Sequence, residues 1–396
     1  MSVQHFSNSP RRKRLGFSWQ SLTLASMLLV SAFGGAVAGK ERKTEEPAAV
    51  EERSQQPITS AYVYDRGRLT FSQRDAAYLD QMNFSFALIQ DGRVSGDHWK
   101  SIKRFQAFIR ANPHILPVLS VGGWGADGFS QAASTEEGRK LFVESSLELM
   151  ERYGFLGIDI DWEYPCSSAA GIASSPADKE NFTLLLIALR EGLDGLAQKD
   201  GKARKLCIAV GGSASATELI QCAEVGQLVD QVNLMTYDLQ SSSSLSTHHT
   251  NLYPSGDAYD ASADTAVQAY VQAGIPKEKI IVGCAFYGLE FVLTSAQAED
   301  EGLYQPSKGP AIKGYEYHKI QKIIAKGGYT RRMDEEAQAP YLFKRGAFIT
   351  YDDPDSLKAK GAYVRENGLM GLMCWEYGGD PSGELLQAMK EGLSQP

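Results

Sequence analysis

From Ser60 onward, short apolar runs alternate with amphipathic stretches, the pattern of repeated β-α units that carry a parallel sheet. Eight such runs lie near residues 60–64, 84–89, 115–122, 155–163, 206–211, 231–237, 280–287 and 369–375. Eight parallel strands predict closure, hence an α/β fold of the (β/α)8 TIM barrel type. Between them Trp99, Ile102, Phe105 and Ile109 recur at helical spacing, as do Phe182, Leu186, Leu189 and Leu193, and both stripes should face the core. Ser134 with Glu137 reads as a capping box before a helix carrying Phe142, Val143, Leu147 and Met150. Pro354 and Gly368 bracket a further helix. One connection is too long for a simple β-α step: residues 288–346 hold a helix near 317–325 and strand-like runs at 329–333 and 341–344. This predicts a small α+β insertion between strands 7 and 8 of a catalytic domain spanning residues 58–396.

The first residues follow another pattern. Arg11, Arg12, Lys13 and Arg14 precede an apolar run with Leu22, Leu24, Met27, Leu28, Leu29 and Val30, then Ala36, Val37 and Ala38. That is the order of a secretory signal peptide, residues 1–38, and predicts a secreted or cell-envelope protein without stable membrane contact once the signal is removed. The apolar run is interrupted by serine and glycine and is short for a span, which leaves an uncleaved membrane anchor as the alternative. Residues 39–57 are polar and rich in Glu, and read as a linker.

Composition narrows the partners. With 43% hydrophobic residues and 38 glycines in 396 residues, a large core and many tight turns are affordable. The net charge of -8 disfavours a polyanion, so no nucleic acid is expected and a neutral substrate fits better. Of five cysteines, Cys207, Cys284 and Cys374 sit in apolar strand-like runs, where thiols behave as small buried hydrophobes, and no disulfide framework is implied. His248 and His249 stand in a Ser-rich loop with no further ligand at metal spacing. No metal or cofactor is expected, and the chain reads as a monomer.

The decisive stretch is residues 156–165, LGIDIDWEYP. In a strand, residues two apart share a face, so Asp159, Asp161 and Glu163 point into the barrel while Ile158, Ile160 and Trp162 point outward. Three carboxylates in one row raise one another's pKa, and a purely stabilising core would use apolar residues there. Acid catalysis, by contrast, needs a carboxyl that stays protonated near neutral pH.

This run resembles the DxxDxDxE signature of glycoside hydrolase family 18, the chitinase family, including the trailing Tyr164-Pro165. Ser120-Val121-Gly122-Gly123 resembles the family's SxGG at the third strand, Met235-Thr236-Tyr237-Asp238 its MxYD at the sixth, and Met373-Cys374-Trp375 its eighth-strand tryptophan motif. The resemblance implies a hydrolase that cleaves β-1,4 bonds of chitin or chitooligosaccharides with retention, the substrate's 2-acetamido oxygen serving as nucleophile. Glu163 would be general acid and base. Asp161 would accept the acetamido N–H, Asp159 would share a proton with it, and Tyr237 would bond the acetamido oxygen. Trp375 would form the floor under the reactive sugar, with Asp238, Met235, Ser120, Gly123 and Tyr287 as further substrate contacts. Ordinary barrel packing is the alternative for Tyr237 and Trp375, and close packing near Asp159 for Ser120 and the glycines.

Two positions depart from the family pattern. Leu156 replaces the first aspartate of the signature; by strand parity it belongs to the outward face, so packing rather than chemistry should feel the change. Leu289 follows Tyr287-Gly288 where many members carry arginine, which removes a contact to substrate or to Asp238. Other functions stay open: an endo-β-N-acetylglucosaminidase acting on N-glycans or peptidoglycan, or a non-catalytic chitin-binding lectin. Lectin-like members commonly lose the acid that is present here as Glu163, and an insertion before the eighth strand deepens the cleft in chitin-cleaving members.

Overall fold

Eight parallel strands close on themselves in sequence order: β1 (Ile58–Tyr64), β2 (Gln81–Gln90), β3 (Leu116–Gly122), β4 (Gly157–Asp161), β5 (Lys205–Gly211), β6 (Gln231–Met235), β7 (Ile280–Ala285) and β8 (Gly371–Trp375). β1 pairs with both β2 and β8, which closes the barrel. The computed structural model describes residues 56–394 apart from 257–260, 297–299 and 312. The chain divides into two units, Met1–Arg53 and Ser54–Pro396. The expected signal peptide, residues 1–38, and the linker up to residue 55 lie outside the described residues. Among the described residues no helix is long and apolar enough to cross a membrane.

The main core lies between the barrel and its helices. Ile158, Ile160, Leu206, Ile208, Val232 and Leu234 point outward and meet helix residues such as Phe105, Phe142, Leu186, Leu189 and Leu193. The fully buried Leu186, Leu189 and Leu193 on helix Asp178–Asp200 each stabilise the fold by about 2 to 3 kcal/mol through burial alone. Inside the barrel a smaller apolar cluster of Tyr62, Ala209, Met235, Ile281 and Met373 shares the space with buried polar groups. All five cysteines are free thiols.

Several boundaries differ from the sequence reading. The 18-residue helix Glu136–Tyr153 is capped by Thr135, whose Oγ1 accepts the Gly138 N–H at 3.0 Å. Ser134 closes the preceding helix Phe129–Ser134 and its hydroxyl donates to the Gln131 carbonyl at 2.8 Å, so it is not free to cap. Trp99 sits in the turn before helix Ile102–Ala111, its indole N–H held by the Phe86 carbonyl at 2.7 Å. Pro354 is the first residue of helix Pro354–Asn367 rather than a flanking one, with Asp353 as N-cap and Gly368 (φ 66°) as the left-handed stop. Leu156 lies one residue before β4 and is half-buried.

The insertion is larger than expected. It is a five-stranded antiparallel sheet, ordered Lys313–Glu316, Tyr287–Val292, Ala347–Tyr351, Ala339–Lys344, Thr330–Asp334, with helix Tyr317–Lys326. β7 therefore ends at Ala285, and Tyr287 belongs to the insertion. Gly346 (φ 76°) is a hairpin turn inside the sheet, not its boundary. The sheet is fastened to the barrel by a buried ion pair. Lys360 Nζ lies 2.7 Å from Asp352, whose carboxylate also accepts from the Ala285 N–H at 2.9 Å, Thr250 at 2.8 Å and Ser356 at 2.7 Å. One carboxylate thus joins the insertion's exit, the end of β7 and the loop after β6.

Candidate active site

The acid row of β4 rises along the barrel axis from a satisfied carboxylate to an unsatisfied one and then to the cleft. Asp159, fully buried, accepts from Tyr62 Oη (2.9 Å) and Ser120 Oγ (2.7 Å) on one oxygen and from Asn233 Nδ2 (3.1 Å) on the other. Burial raises its pKa to about 6, and the three donors hold it from going higher. Asp161, two residues on, is 3% exposed, and its Oδ1 has no hydrogen-bond partner among the described residues. Burial first, then the charges of Glu163 and Asp159, push its carboxyl well above the usual range. Glu163 lies past the end of the strand, in the cleft. Burial raises it to about 7, a bond to Tyr164 pulls the other way, and the charge of Asp238 adds to the rise.

Above these groups opens a cleft of about 790 Å³, the size that encloses a small ligand rather than a macromolecular surface. It lies at the C-terminal end of the barrel, where such barrels carry their chemistry. Its floor holds Trp375, stacked on Phe86 at 5.6 Å between ring centres and braced by Tyr62 and Tyr64, each at 5.9 Å. Gly123 (φ 90°) lines the wall and cannot carry a side chain, because a Cβ there would lie 2.5 Å from the Phe86 ring; its N–H bonds the Asp161 carbonyl at 2.9 Å. Met235, Tyr237 and Asp238 line the cleft from the end of β6. Burial, then the charges of Asp161 and Glu163, push the Tyr237 hydroxyl well above its ordinary value, so it remains a donor.

Asp238, with 56% of its side chain exposed, adopts a left-handed backbone (φ 56°). Desolvation raises its carboxyl, but His249 and Tyr287 outweigh that and keep it below the ordinary carboxylate value. Tyr287 Oη donates to it at 2.7 Å, and Nδ1 of the buried His249 lies 3.7 Å away. These two are the side chains that meet the Asp238 carboxylate among the described residues. His249, read from sequence as a loop residue, is fully buried.

The ten residues singled out in the sequence fall in two groups. Asp161, Glu163, Tyr237, Trp375, Asp238, Met235 and Gly123 line the cleft. Asp159, Ser120 and Tyr287 do not: Ser120 acts on Asp159 and Tyr287 on Asp238. Sequence reasoning missed Tyr62 and Asn233, which complete the shell of Asp159, and Trp124, 65% exposed in the cleft with its edge on Tyr164 at 6.4 Å. Trp124 follows Gly123 directly, and a tryptophan on a loop beyond a Gly pair was the available signal. The described cleft residues come from the ends of β1 to β4, β6 and β8; none comes from the insertion.

Residues 58–380 match the family model described as glycosyl hydrolases family 18. Chitinase A1 of Niallia circulans is 34% identical over 326 residues, which cover 76% of this chain and 46% of that protein. Chitotriosidase-1 of Mus musculus is 35% identical over 279 residues, 67% of this chain and 58% of its own. The match thus spans about half the length of these curated relatives. A family 18 N-acetylglucosaminidase from Paenibacillus barengoltzii superposes with a TM-score of 0.82 at 41% identity, covering 85% of this chain and 99% of that one.

Proposed function

The chain belongs to family 18 of the glycosyl hydrolases, and on that premise we propose that it cleaves β-1,4 bonds of N-acetylglucosamine oligomers with retention, through the substrate's own acetamido group. The observation that carries this reading is the buried Asp161 oxygen without a partner, beside Tyr237 and below Glu163. A buried acceptor left open calls for a donor from the ligand, and an acetamido N–H is a neutral donor of the right kind. Its carbonyl oxygen would then meet the Tyr237 hydroxyl.

In this mechanism the sugar stacks on Trp375 and Glu163 gives its proton to the glycosidic oxygen as the C1–O bond breaks. The acetamido oxygen bonds to C1 from the opposite face, forming an oxazolinium ion that the Asp159 and Asp161 pair stabilises by charge. Glu163, now ionised, takes a proton from water, which adds to C1, opens the ring and restores the β configuration. The neutral fraction that a pKa of about 7 leaves at working pH suits this double role.

A narrower reading, release of short products from a chain end, is favoured by the cleft's lining, to which no described residue of the insertion contributes. Export is proposed as well, on the basic-then-apolar order of residues 11–38. The test is incubation with acetylated chitooligosaccharides, N-glycoprotein and peptidoglycan, with products sized by mass spectrometry. Shortened chitooligosaccharides alone support the proposal, and monosaccharide accumulation from the earliest times supports the narrower form. Cleavage of only the other two polymers, or binding without turnover, overturns it.

A further inference from the structure

A column of polar side chains runs through the barrel interior beneath Asp159 and has only one consistent orientation. Lys205, half-buried at the start of β5, places Nζ 3.4 Å from Gln231 Oε1 and 3.4 Å from Gln81 Oε1. Gln231 Nε2 donates to Asn233 Oδ1 at 2.8 Å, and Asn233 Nδ2 donates to Asp159 Oδ1 and Tyr62 Oη, both at 3.1 Å. Gln231 and Asn233, two apart on β6, share its inner face. Gly157, opposite Lys205 on β4, leaves room for it, since a Cβ there would sit 3.2 Å from Lys205 Cβ.

An ammonium only donates, and an ionised carboxylate only accepts. With Lys205 at the lower end, Gln231 must turn its oxygen down and its NH2 up. Asn233 must then turn its oxygen down and its NH2 toward Asp159. The two amide dipoles align, and hydrogen bonds in such a chain strengthen one another. We propose that Lys205 is a positioning residue for the reaction, which through Gln231 fixes the Asn233 amide with its donors facing Asp159. A neutral or missing group at 205 would leave the two amides held only from the Asp159 end, with their donors less firmly directed at the carboxylate.

The titratable groups facing Asp159 are Tyr62 on β1, Asp161 on its own strand, and Cys207 with Lys205 on β5; the Cys207 thiol, pushed up by burial, stays neutral at working pH. Arg190, near β5, is paired with both Asp194 at 2.8 Å and Asp230 at 3.0 Å. Lys205 is the cation at the foot of the column. The catalytic consequence rests on the proposed function, in which the charge of the Asp159 and Asp161 pair faces the oxazolinium ion.

The test uses Lys205→Met, Lys205→Arg and Gln231→Glu. The last keeps size and the bond to Lys205 but cannot donate to Asn233, so it breaks the direction of the column if Lys205→Met fails to fold. The Asp159 carboxyl is followed by carbon-13 NMR in protein labelled at aspartate carboxyls, assigned with Asp159→Asn, and kcat is recorded against pH on an acetylated chitooligosaccharide. The expected result in Met and Glu variants is an Asp159 titration moved up by about half to one pH unit, with the acid limb of kcat following it and KM little changed. Arg should restore both. An Asp159 titration unmoved in the folded variants, or moved but not restored by Arg, overturns the proposal. If Asp159 moves while even the wild-type protein cleaves no oligomer, the column stands and the hydrolytic reading falls.

Discussion

Tyr62 on β1 and Asp159 on β4 meet across the barrel interior, hydroxyl to carboxylate at 2.9 Å, although 97 residues separate them in the chain. The same ring packs against Trp375, so one side chain touches both the buried charge and the floor of the cleft. Tyr62→Phe keeps the ring and removes the donor. A hydrogen bond to a charged group contributes about 1.5 to 3 kcal/mol, so kcat should fall by about 10- to 100-fold with KM within about twofold, as steady-state kinetics on chitooligosaccharides would read. An unchanged kcat with a raised KM would assign Tyr62 to binding instead.

Glu163 must carry its proton to act as acid, and its pKa lies at about 7, so kcat/KM should decline as pH rises through that value. The charge of Asp238 is one cause of the rise. Asp238→Asn removes that charge, makes Glu163 a stronger acid and should move the basic limb to lower pH. Glu163→Gln, which has no proton to transfer, should lower turnover by about 10² to 10⁴ while oligosaccharide binding survives. A basic limb that stays in place in Asp238→Asn would show that the limb belongs to another group.

How far the molecule was legible in its sequence depends on the range of the interaction. The eight strands and the helix stripes follow from periodicity, because each records its own alternation of inward and outward faces. The acid row was legible for the same reason: Asp159 and Asp161 lie on one strand at period two, and Glu163 continues the row just past its end. Tyr62 and Asn233 were not, because each lies in a different unit of the fold and only closure of the barrel brings it to Asp159. The edges of the insertion failed at Gly346, where a glycine with positive φ reads equally as a boundary or as a hairpin turn. His249 looked like a loop residue among serines, yet that loop is covered by the insertion and the ring is fully buried against Asp238 and Tyr287.

Stability should be most sensitive to the buried pair that joins these parts. Lys360→Met removes a fully buried cation and leaves Asp352 without its counter-charge, with only Thr250, Ser356 and the Ala285 N–H as donors. Breaking one side of such a pair costs about 3 to 5 kcal/mol, which urea unfolding would register as a lower midpoint with a similar slope. Lys360→Met combined with Asp352→Leu should recover part of that loss, since no lone charge then remains buried. An equal or larger loss in the double variant would mean that the hydrogen bonds of Asp352 matter more than its charge.

The most direct prediction concerns the substrate's own atoms. If the acetamido oxygen is the nucleophile, a reactive sugar without its acetyl group has none, and the Tyr237 hydroxyl loses its acceptor even though the amine can still donate to the open Asp161 oxygen. Stacking on Trp375 needs only the apolar face of the ring, so binding can persist where cleavage stops. Fully deacetylated chitosan and cellulose oligomers should therefore be left intact. Partly acetylated chitosan should be cut only after acetylated units, so that every new reducing end carries an acetyl group. A thiazoline analogue of the cyclised intermediate should inhibit more tightly than the substrate binds, because it makes the contacts that substrate makes only during reaction. Sequencing the new reducing ends by mass spectrometry decides the matter. A substantial share of unacetylated ends would mean that a carboxylate of the protein, and not the substrate's acetamido group, attacks C1.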